Sequence, residues 1–240
     1  LELFSQVINR NNQFFDNDFL KKTLFTSSDT TQLFLDNIIE TDSLNTLSTE
    51  KKFIIALAEL QLENYEIALS SVLEYQQKFP HIEGVNLLLG DIYFGLENWF
   101  ESLLHYHWAV QISPENIHSK IGFSLSMMHR GDFQGARIVL EQLIKKEILD
   151  YRVYLSLGKI YFFENNLELA IQQFNKALGL DPNIAEIHFN LGIAHFESGR
   201  LSQALGSFTR STQLEKENGE YHYYLGQIYE KILKIDDAIH

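Results

Sequence analysis

The sequence contains no cysteine and only three prolines, and basic residues are fewer than acidic ones. Without cysteine, the chain cannot form disulfides, use a catalytic thiol or bind metal through thiolates, and it suits either an oxidising or a reducing compartment. Only 13 glycines and 3 prolines occur in 240 residues, which leaves little room for disordered linkers. No run of about eighteen apolar residues occurs, so we expect no direct membrane insertion.

The charge balance is strongly acidic. Lysine and arginine together number 19 against 32 aspartates and glutamates, which gives a formal net charge of −13. A surface of this charge repels nucleic acid and anionic membranes, so we expect neither as a partner. Hydrophobic residues make up 45% of the chain, which is ample for burial. The acidic residues then serve to keep an apolar array in solution.

The segment from Tyr151 to Ile184 shows how the chain is organised. Two amphipathic helical patterns flank the polar break Glu164-Asn165-Asn166. Its landmark residues are Tyr154, Leu157, Gly158, Tyr161, Ala170, Phe174, Ala177 and Pro182. Their order and spacing match a helix–turn–helix pattern that repeats about every 34 residues.

The same interval recurs along the chain. From Gly158, steps of 34 residues reach the small residues Ala56, Gly90, Ser124, Gly192 and Gly226. From Ala170, the same steps reach Ala68, Ser102, Ala136, Ala204 and Ala238. Pro80, Pro114 and Pro182 all occupy one late position, where a helix must stop. Three separate registers therefore agree without an insertion.

This pattern resembles the tetratricopeptide repeat (TPR) family. The resemblance implies an all-α, right-handed superhelical solenoid of antiparallel helix pairs. In that family the first helix of each pair lines a concave groove, and ligands, usually peptides or helices, lie in it. The expected function is therefore that of a protein–protein interaction scaffold.

The repeat register also divides the chain. Residues 49–240 form the array, with repeats at 49–82, 83–116, 117–150, 151–184 and 185–218 and a partial repeat at 219–240. We interpret residues 1–48 as an amino-terminal helical cap with a degenerate repeat; the alternative is a separate small domain. Because the sequence starts at Leu1 and ends at His240, inside an expected second helix, we expect further chain outside it.

The third repeat diverges from the others. Ile148 stands where proline is expected, and Met127 replaces the tyrosine. Either a longer second helix or a small change in superhelical pitch is expected there.

Positions on one face of each first helix predict the binding groove. They are mostly apolar, which favours a partner with an apolar face, such as an amphipathic helix. The alternative is that they pack between repeats. The candidate residues are Phe53, Leu57, Leu87, Asp91, Phe94, Ile121, Leu125, Met128, Arg152, Leu155, Lys159, Phe162, Phe189, Ile193, Phe196 and Tyr223.

Charged candidates in this groove are few. Arg152 and Lys159 either dock an acidic group of a partner, with Asp91 also orienting it, or are solvated or paired with an acid such as Glu186. Two uses known in the family do not fit. A carboxylate clamp needs Lys and Asn where Phe53, Leu57 and Leu87 stand. An asparagine ladder needs Asn before each Leu-Gly, where only Asn190 matches.

No pattern in the sequence points to catalysis, a metal or a cofactor. There is no phosphate-binding loop, nucleophile elbow or zinc-protease motif. His105 and His107 should point to different faces of a helix, and His188 and His195 occupy positions of packing aromatics. We therefore expect a non-enzymatic protein that binds a protein or peptide partner. Two alternatives are a regulatory or substrate-presenting arm of a larger enzyme, and a structural scaffold that associates end to end with itself.

Overall fold

The computed structural model describes residues 27–41, 49–78 and 83–239, and every regular element within those ranges is an α-helix. The helices expected within residues 1–24, the segment 42–48 and the stop at Pro80 lie outside the described residues. The helices are α1 Ser28–Thr41, α2 Thr49–Gln61, α3 Tyr65–Lys78, α4 Glu83–Gly95, α5 Trp99–Ile112, α6 Ile117–His129, α7 Phe133–Lys145, α8 Tyr151–Phe163, α9 Leu167–Leu180, α10 Ala185–Glu197, α11 Leu201–Leu214 and α12 Gly219–Ile239.

The chain divides into two compact units, residues 1–132 and 133–240. In the first unit, α2 packs on α3 and α4 on α5, while α1 packs on α2 and α6 on α5. In the second unit, α8 packs on α9 and α10 on α11, while α7 contacts α8 and α12 contacts α11. From α2 onward, the first helices of the pairs begin 34 residues apart. Each unit is thus a stack of helix pairs, which is the all-α repeat fold that the sequence predicts.

Every described turn from a first to a second helix has the same geometry. One residue takes a positive φ: Glu63, Glu97, Gly131, Asn165 and Gly199, at intervals of 34 residues. Two backbone bonds close each turn; for example, the amides of Asn166 and Asn165 donate to the carbonyls of Tyr161 (2.8 Å) and Phe162 (2.9 Å). This is a Schellman motif, which satisfies carbonyls left open at the helix end. In this example Asn166 also caps the next helix, because its Oδ1 accepts a hydrogen bond from the amide of Leu169.

Replacing Glu97 by glycine is expected to raise the free energy of unfolding by about 0.5–1 kcal/mol. Glu97 has φ 57 and an exposed side chain. The left-handed conformation costs a residue with a Cβ about 1–2 kcal/mol, and the greater entropy of glycine in the unfolded chain offsets part of the gain. Urea unfolding followed by circular dichroism measures the change, because the described elements of both units are α-helices. As a control, Glu141→Gly inside α7 should lower the free energy of unfolding by about 1 kcal/mol. If both substitutions changed the free energy of unfolding in the same direction, the prediction would be contradicted.

The small residues on the first helices are contact points for aromatic rings. A Cβ atom built on Gly158 would lie 2.3 Å from the ring of Phe174, and one on Gly192 would lie 2.7 Å from the ring of Phe208. Phe174 is 1% exposed and Phe208 is 0% exposed. Each ring therefore lies directly on the helix backbone where glycine leaves room for it, and this contact joins the two helices of a pair.

Two helix ends differ from the sequence-based predictions. In the third repeat the alternative of a longer second helix is wrong: α7 has 13 residues, against 14 in α5, α9 and α11. A second Schellman motif stops α7, with Glu147 at φ 58 and the amide of Ile148 donating to the carbonyl of Leu143.

The carboxyl-terminal helix also differs. A turn and a second helix were expected before His240, but α12 is one continuous helix of 21 residues. Leu233 occupies the position that takes a positive φ in the other repeats. Glu63 and Glu97 adopt the left-handed conformation although it costs a residue with a Cβ about 1–2 kcal/mol, whereas at Leu233 the helix continues and avoids that cost.

Candidate functional site

The predicted groove residues separate into two groups by exposure. Seven are buried and present almost no surface to a partner: Phe53, Leu57, Leu87, Ile121, Met128, Leu155 and Phe189, with exposures from 0% to 7%. Their side chains lie in the interior of their units because each first helix is enclosed by its second helix and by its neighbours. A partner can contact the others directly: Asp91, Phe94, Leu125, Arg152, Lys159, Phe162, Ile193, Phe196 and Tyr223.

The charged groove residues are engaged within the chain. In the first unit, His118 Nε2 on α6 donates to Oδ1 of Asp91 on α4 (2.8 Å), and the Tyr106 hydroxyl donates to the same oxygen (2.6 Å). In the second unit, Lys159 on α8 forms an ion pair with Glu186 on α10. These two pairs occupy equivalent positions two repeats apart: the acid lies on the earlier helix in the first pair and on the later helix in the second. They link successive first helices across the groove.

Arg152 is bound to the start of its own helix. Asp150 is the N-cap of α8 and accepts the backbone amide of Arg152 at 2.9 Å. The Arg152 guanidinium donates to the same carboxylate through Nε (3.0 Å) and Nη2 (2.7 Å). Arg152 and Lys159 were candidates for binding an acidic group of a partner. Both are paired with acids of this chain, which agrees with the alternative given for them.

A pocket of about 310 Å³ opens on the first-helix face of the first unit. Leu60, Tyr65 and Phe94 supply apolar surface, and Glu63 and Asp91 supply carboxylates. The remaining lining residues are Gln61, Gly95 and His118. The pocket thus joins α2, α4 and α6 with the start of α3. The pocket is wide and open to solvent.

Packing shapes this pocket. A Cβ atom on Gly95 would lie 2.1 Å from the Tyr65 ring, so glycine is what allows that ring to approach α4. The Phe94 ring meets Trp99 edge-on at 5.1 Å and His129 at 5.3 Å. Trp99 and His129 stack on each other with their centroids 4.0 Å apart. These ring contacts fix the position of Phe94 before any partner binds.

In the second unit the groove residues form a more open surface. Phe162 and Ile193 are half-buried against their helix pairs. Lys231 on α12 places its ammonium 4.2 Å from the centroid of the Phe196 ring. Tyr223 is 61% exposed, and its hydroxyl accepts from the amide of Gln227 (2.8 Å).

Comparison with known proteins decides the family. Residues 158–199 match the model "TPR repeat", and residues 189–239 match the model "Tetratricopeptide repeat". Residues 158–239 of the chain are therefore tetratricopeptide repeats. No curated protein matches the sequence.

Several solved structures share this TPR fold. A thermophilic TPR protein of Thermus thermophilus has a TM-score of 0.68 and 16% identity, over 76% of this chain and 99% of its own. A TPR protein of Parabacteroides merdae has a TM-score of 0.70 and 13% identity, over 89% and 81%. The anaphase-promoting-complex assembly Cut9–Hcn1 has a TM-score of 0.68 and 18% identity, over 92% of this chain and 42% of that one. At such identities the likeness concerns the fold alone.

TPR repeats generally mediate protein–protein interaction. Within the described residues, no helix is long and apolar enough to cross a membrane, and no cluster of three potential metal ligands occurs. Of the histidines considered as ligands, His105 and His195 are buried, at 8% exposure each, whereas His107 is exposed. His188 Nε2 lies 2.9 Å from the carbonyl oxygen of Pro182.

Sequence reasoning missed the outward side of α5. Phe100, Leu104, Trp108 and Ile112 are 59%, 39%, 49% and 38% exposed. They follow one another at four-residue spacing and so form one row on the helix. We call this row the α5 face. Its signal was available in the sequence, because α5 carries apolar residues on the side opposite Ser102, Tyr106 and Ala109, which are the core contacts of this TPR helix.

A second pocket, of about 450 Å³, adjoins the α5 face. Its described lining consists of Gln76, Asn86, Tyr93, Glu101, Leu104, His105 and Trp108. His105 Nδ1 donates to Asn86 Oδ1 (3.1 Å), and the His105 ring stacks on Tyr93 at 5.5 Å. Burial lowers the pKa of His105 to about 4, so its imidazole is neutral at neutral pH. Burial and, to a lesser degree, the nearby Glu101 carboxylate raise the pKa of Tyr93.

Proposed function

We propose that this TPR protein is a non-catalytic scaffold that holds a peptide or an amphipathic helix of a partner protein against its first helices. The pocket of about 310 Å³ carries the proposal, because it lies on the face formed by α2, α4 and α6. Its lining combines apolar and aromatic surface with a few polar groups, the composition that is typical of ligand-binding clefts. Asp91 and Phe94, both candidate residues from the sequence, line it.

The lining indicates the chemistry of the bound side chain. Leu60, Tyr65 and Phe94 favour an apolar or aromatic anchor. Glu63 and Asp91 place negative charge beside that anchor, which favours a neighbouring lysine or arginine in the partner. His118 is hydrogen-bonded to Asp91, so Glu63 is the carboxylate that remains more open to the partner. The partner segment is thus expected to be apolar and basic.

Gln61→Arg is expected to abolish or strongly weaken retention of the partner. Gln61 is exposed, lies in the last turn of α2 and lines the pocket. A guanidinium there would occupy the acidic pocket and repel a basic partner segment. A positive charge at the carboxyl end of a helix is compatible with folding. Retention of native proteins on the immobilised parent and variant, quantified side by side, measures the effect.

Gln213→Arg is the matched control. Gln213 is also exposed and lies in the last turn of a helix, α11, remote in sequence from the pocket. Both variants must show the circular dichroism of the parent. The groove proposal requires a partner that is retained by the parent and by Gln213→Arg but lost by Gln61→Arg. Equal retention by all three proteins would refute it. End-to-end self-association stays a separate prediction, tested by the sedimentation of the parent alone.

A further inference from the structure

We propose that the α5 face is a second docking surface, which binds an amphipathic helix of a partner protein through an arginine seated in the adjoining pocket of about 450 Å³. This surface lies on a second helix of a repeat, whereas the groove lies on first helices. The proposal is therefore independent of the groove and does not rest on it.

The apolar row gives the surface its length. Phe100, Leu104, Trp108 and Ile112 cover the whole of α5, which has 14 residues. At 1.5 Å per residue this row extends over about 18 Å, enough for three or four turns of a partner helix. Scattered single apolar residues are normal on a protein surface, but four in a continuous row on one helix indicate a binding face.

The pocket beside the row has a negative charge. Glu101 is the carboxylate among its described lining residues, and no lysine or arginine is among them. Within the described chain, Glu101 forms no ion pair with a lysine or arginine. His105, the other titratable neighbour besides Tyr93, is neutral at neutral pH and hydrogen-bonded to Asn86. Charge complementarity therefore favours a cationic group in this pocket.

The aromatic lining favours arginine over lysine. Tyr93 and Trp108 present rings to the pocket, and a guanidinium can lie flat on such a ring while it pairs with a carboxylate. The α5 face already shows this contact once, because the Arg130 guanidinium lies 5.3 Å from the centroid of the Phe100 ring. Gln76 adds an amide oxygen that can accept a further N–H bond.

A second copy of this chain is a poor donor of that arginine. The arginines of the described residues already have contacts: Arg130 lies over Phe100, Arg137 binds Glu164, Arg152 binds Asp150, Arg200 binds Glu168 and Arg210 lies 3.4 Å from Asn183. An acidic chain with a net charge of −13 also repels itself. A different protein with a basic amphipathic helix fits the surface better.

A displayed library of helical peptides, selected on the immobilised protein, tests the proposal. The enriched peptides are expected to carry an arginine flanked by apolar residues one turn away on each side. Binding of the best synthetic peptide, measured by fluorescence anisotropy, should weaken about tenfold when its arginine is replaced by neutral citrulline. Glu101→Gln should weaken binding to a similar extent, and Trp108→Ala should weaken it at least as much. Ile67→Ala, at a 49% exposed position on α3, is the control and should leave binding unchanged.

The remaining outcomes would overturn the proposal. One is the enrichment of peptides that lack a basic residue, or of peptides whose binding is not weakened by Trp108→Ala. Another is equal affinity of the arginine and citrulline peptides. A third is a dimer of the parent that Trp108→Ala dissociates, because the face would then be an interface between copies. Gln61→Arg should not affect the selected peptide, so failure here and failure of the groove proposal remain distinguishable.

Discussion

Phe174→Ala is expected to lower the free energy of unfolding by about 3–5 kcal/mol, the usual cost of removing a buried phenylalanine. The Phe174 ring is 1% exposed and lies on the backbone of α8 at Gly158, within the cluster that also contains Leu155, Ile171 and Ala177. Alanine would leave a cavity at the point where α8 and α9 meet. Urea unfolding followed by circular dichroism measures the loss.

Two further variants test whether the contact with Gly158 is the cause. Phe163→Ala removes a ring that is 63% exposed and should cost less than about 1 kcal/mol. Gly158→Ala should destabilise the parent by about 1–3 kcal/mol, because its Cβ would lie 2.3 Å from the Phe174 ring. In the Phe174→Ala background the ring is absent, so the helix propensity of alanine should make the same change stabilising by up to about 1 kcal/mol. An equal effect in both backgrounds would contradict this account.

The stability of the first unit is expected to fall as the pH decreases from about 6.5 to about 4. Burial lowers the pKa of His105 from 6.5 to about 4 in the folded chain. In that range the unfolded chain binds a proton on this histidine and the folded chain does not, so acid favours unfolding. Each pKa unit corresponds to about 1.4 kcal/mol, so the loss attributable to His105 is about 3–4 kcal/mol once it is complete. Below about pH 4 both states are protonated and the loss is complete.

His105→Gln isolates this effect. Glutamine does not titrate, and Gln173 occupies the equivalent buried position in α9. Urea unfolding followed by tryptophan fluorescence reports on this unit, because Trp99 and Trp108 both lie in it. The parent should lose more stability than the variant between pH 6.5 and pH 4, with the difference levelling off below that range. Parallel curves for the two proteins would show that His105 does not carry the effect.

The fold was predictable from the sequence because the repeated residues determine how the backbone packs, turns and ends its helices. Gly158 and Gly192 leave room for Phe174 and Phe208, and Asn165 and Asn166 form a turn and a cap. These requirements for particular residues are local and recur in every repeat, so a single sequence is enough to recognise them. The failures also concern backbone detail. Leu233 stands at the turn position of the last repeat, yet α12 continues through it without the positive φ that Glu63 and Glu97 adopt.

The candidate site was less predictable, because burial depends on neighbours that helical spacing does not show. Leu87 and Phe94 share a predicted face, yet Leu87 is buried and Phe94 borders an open pocket. Asp91 and His118 are 27 residues apart in the chain, and their pairing needs two successive first helices to lie side by side. The family resemblance points to first helices as the binding face, so it gives no indication of the α5 face, which lies on a second helix.

Site-specific photo-crosslinking tests the central claim, that a partner lies on the first helices of this protein. A benzophenone side chain is placed at Gln61, beside the pocket, or at the control position Gln213. We predict that the partner retained by the parent is crosslinked from Gln61 and not from Gln213. Crosslinking of that partner from Gln213 alone, or from neither position, would contradict the account and move its binding site away from the first-helix groove.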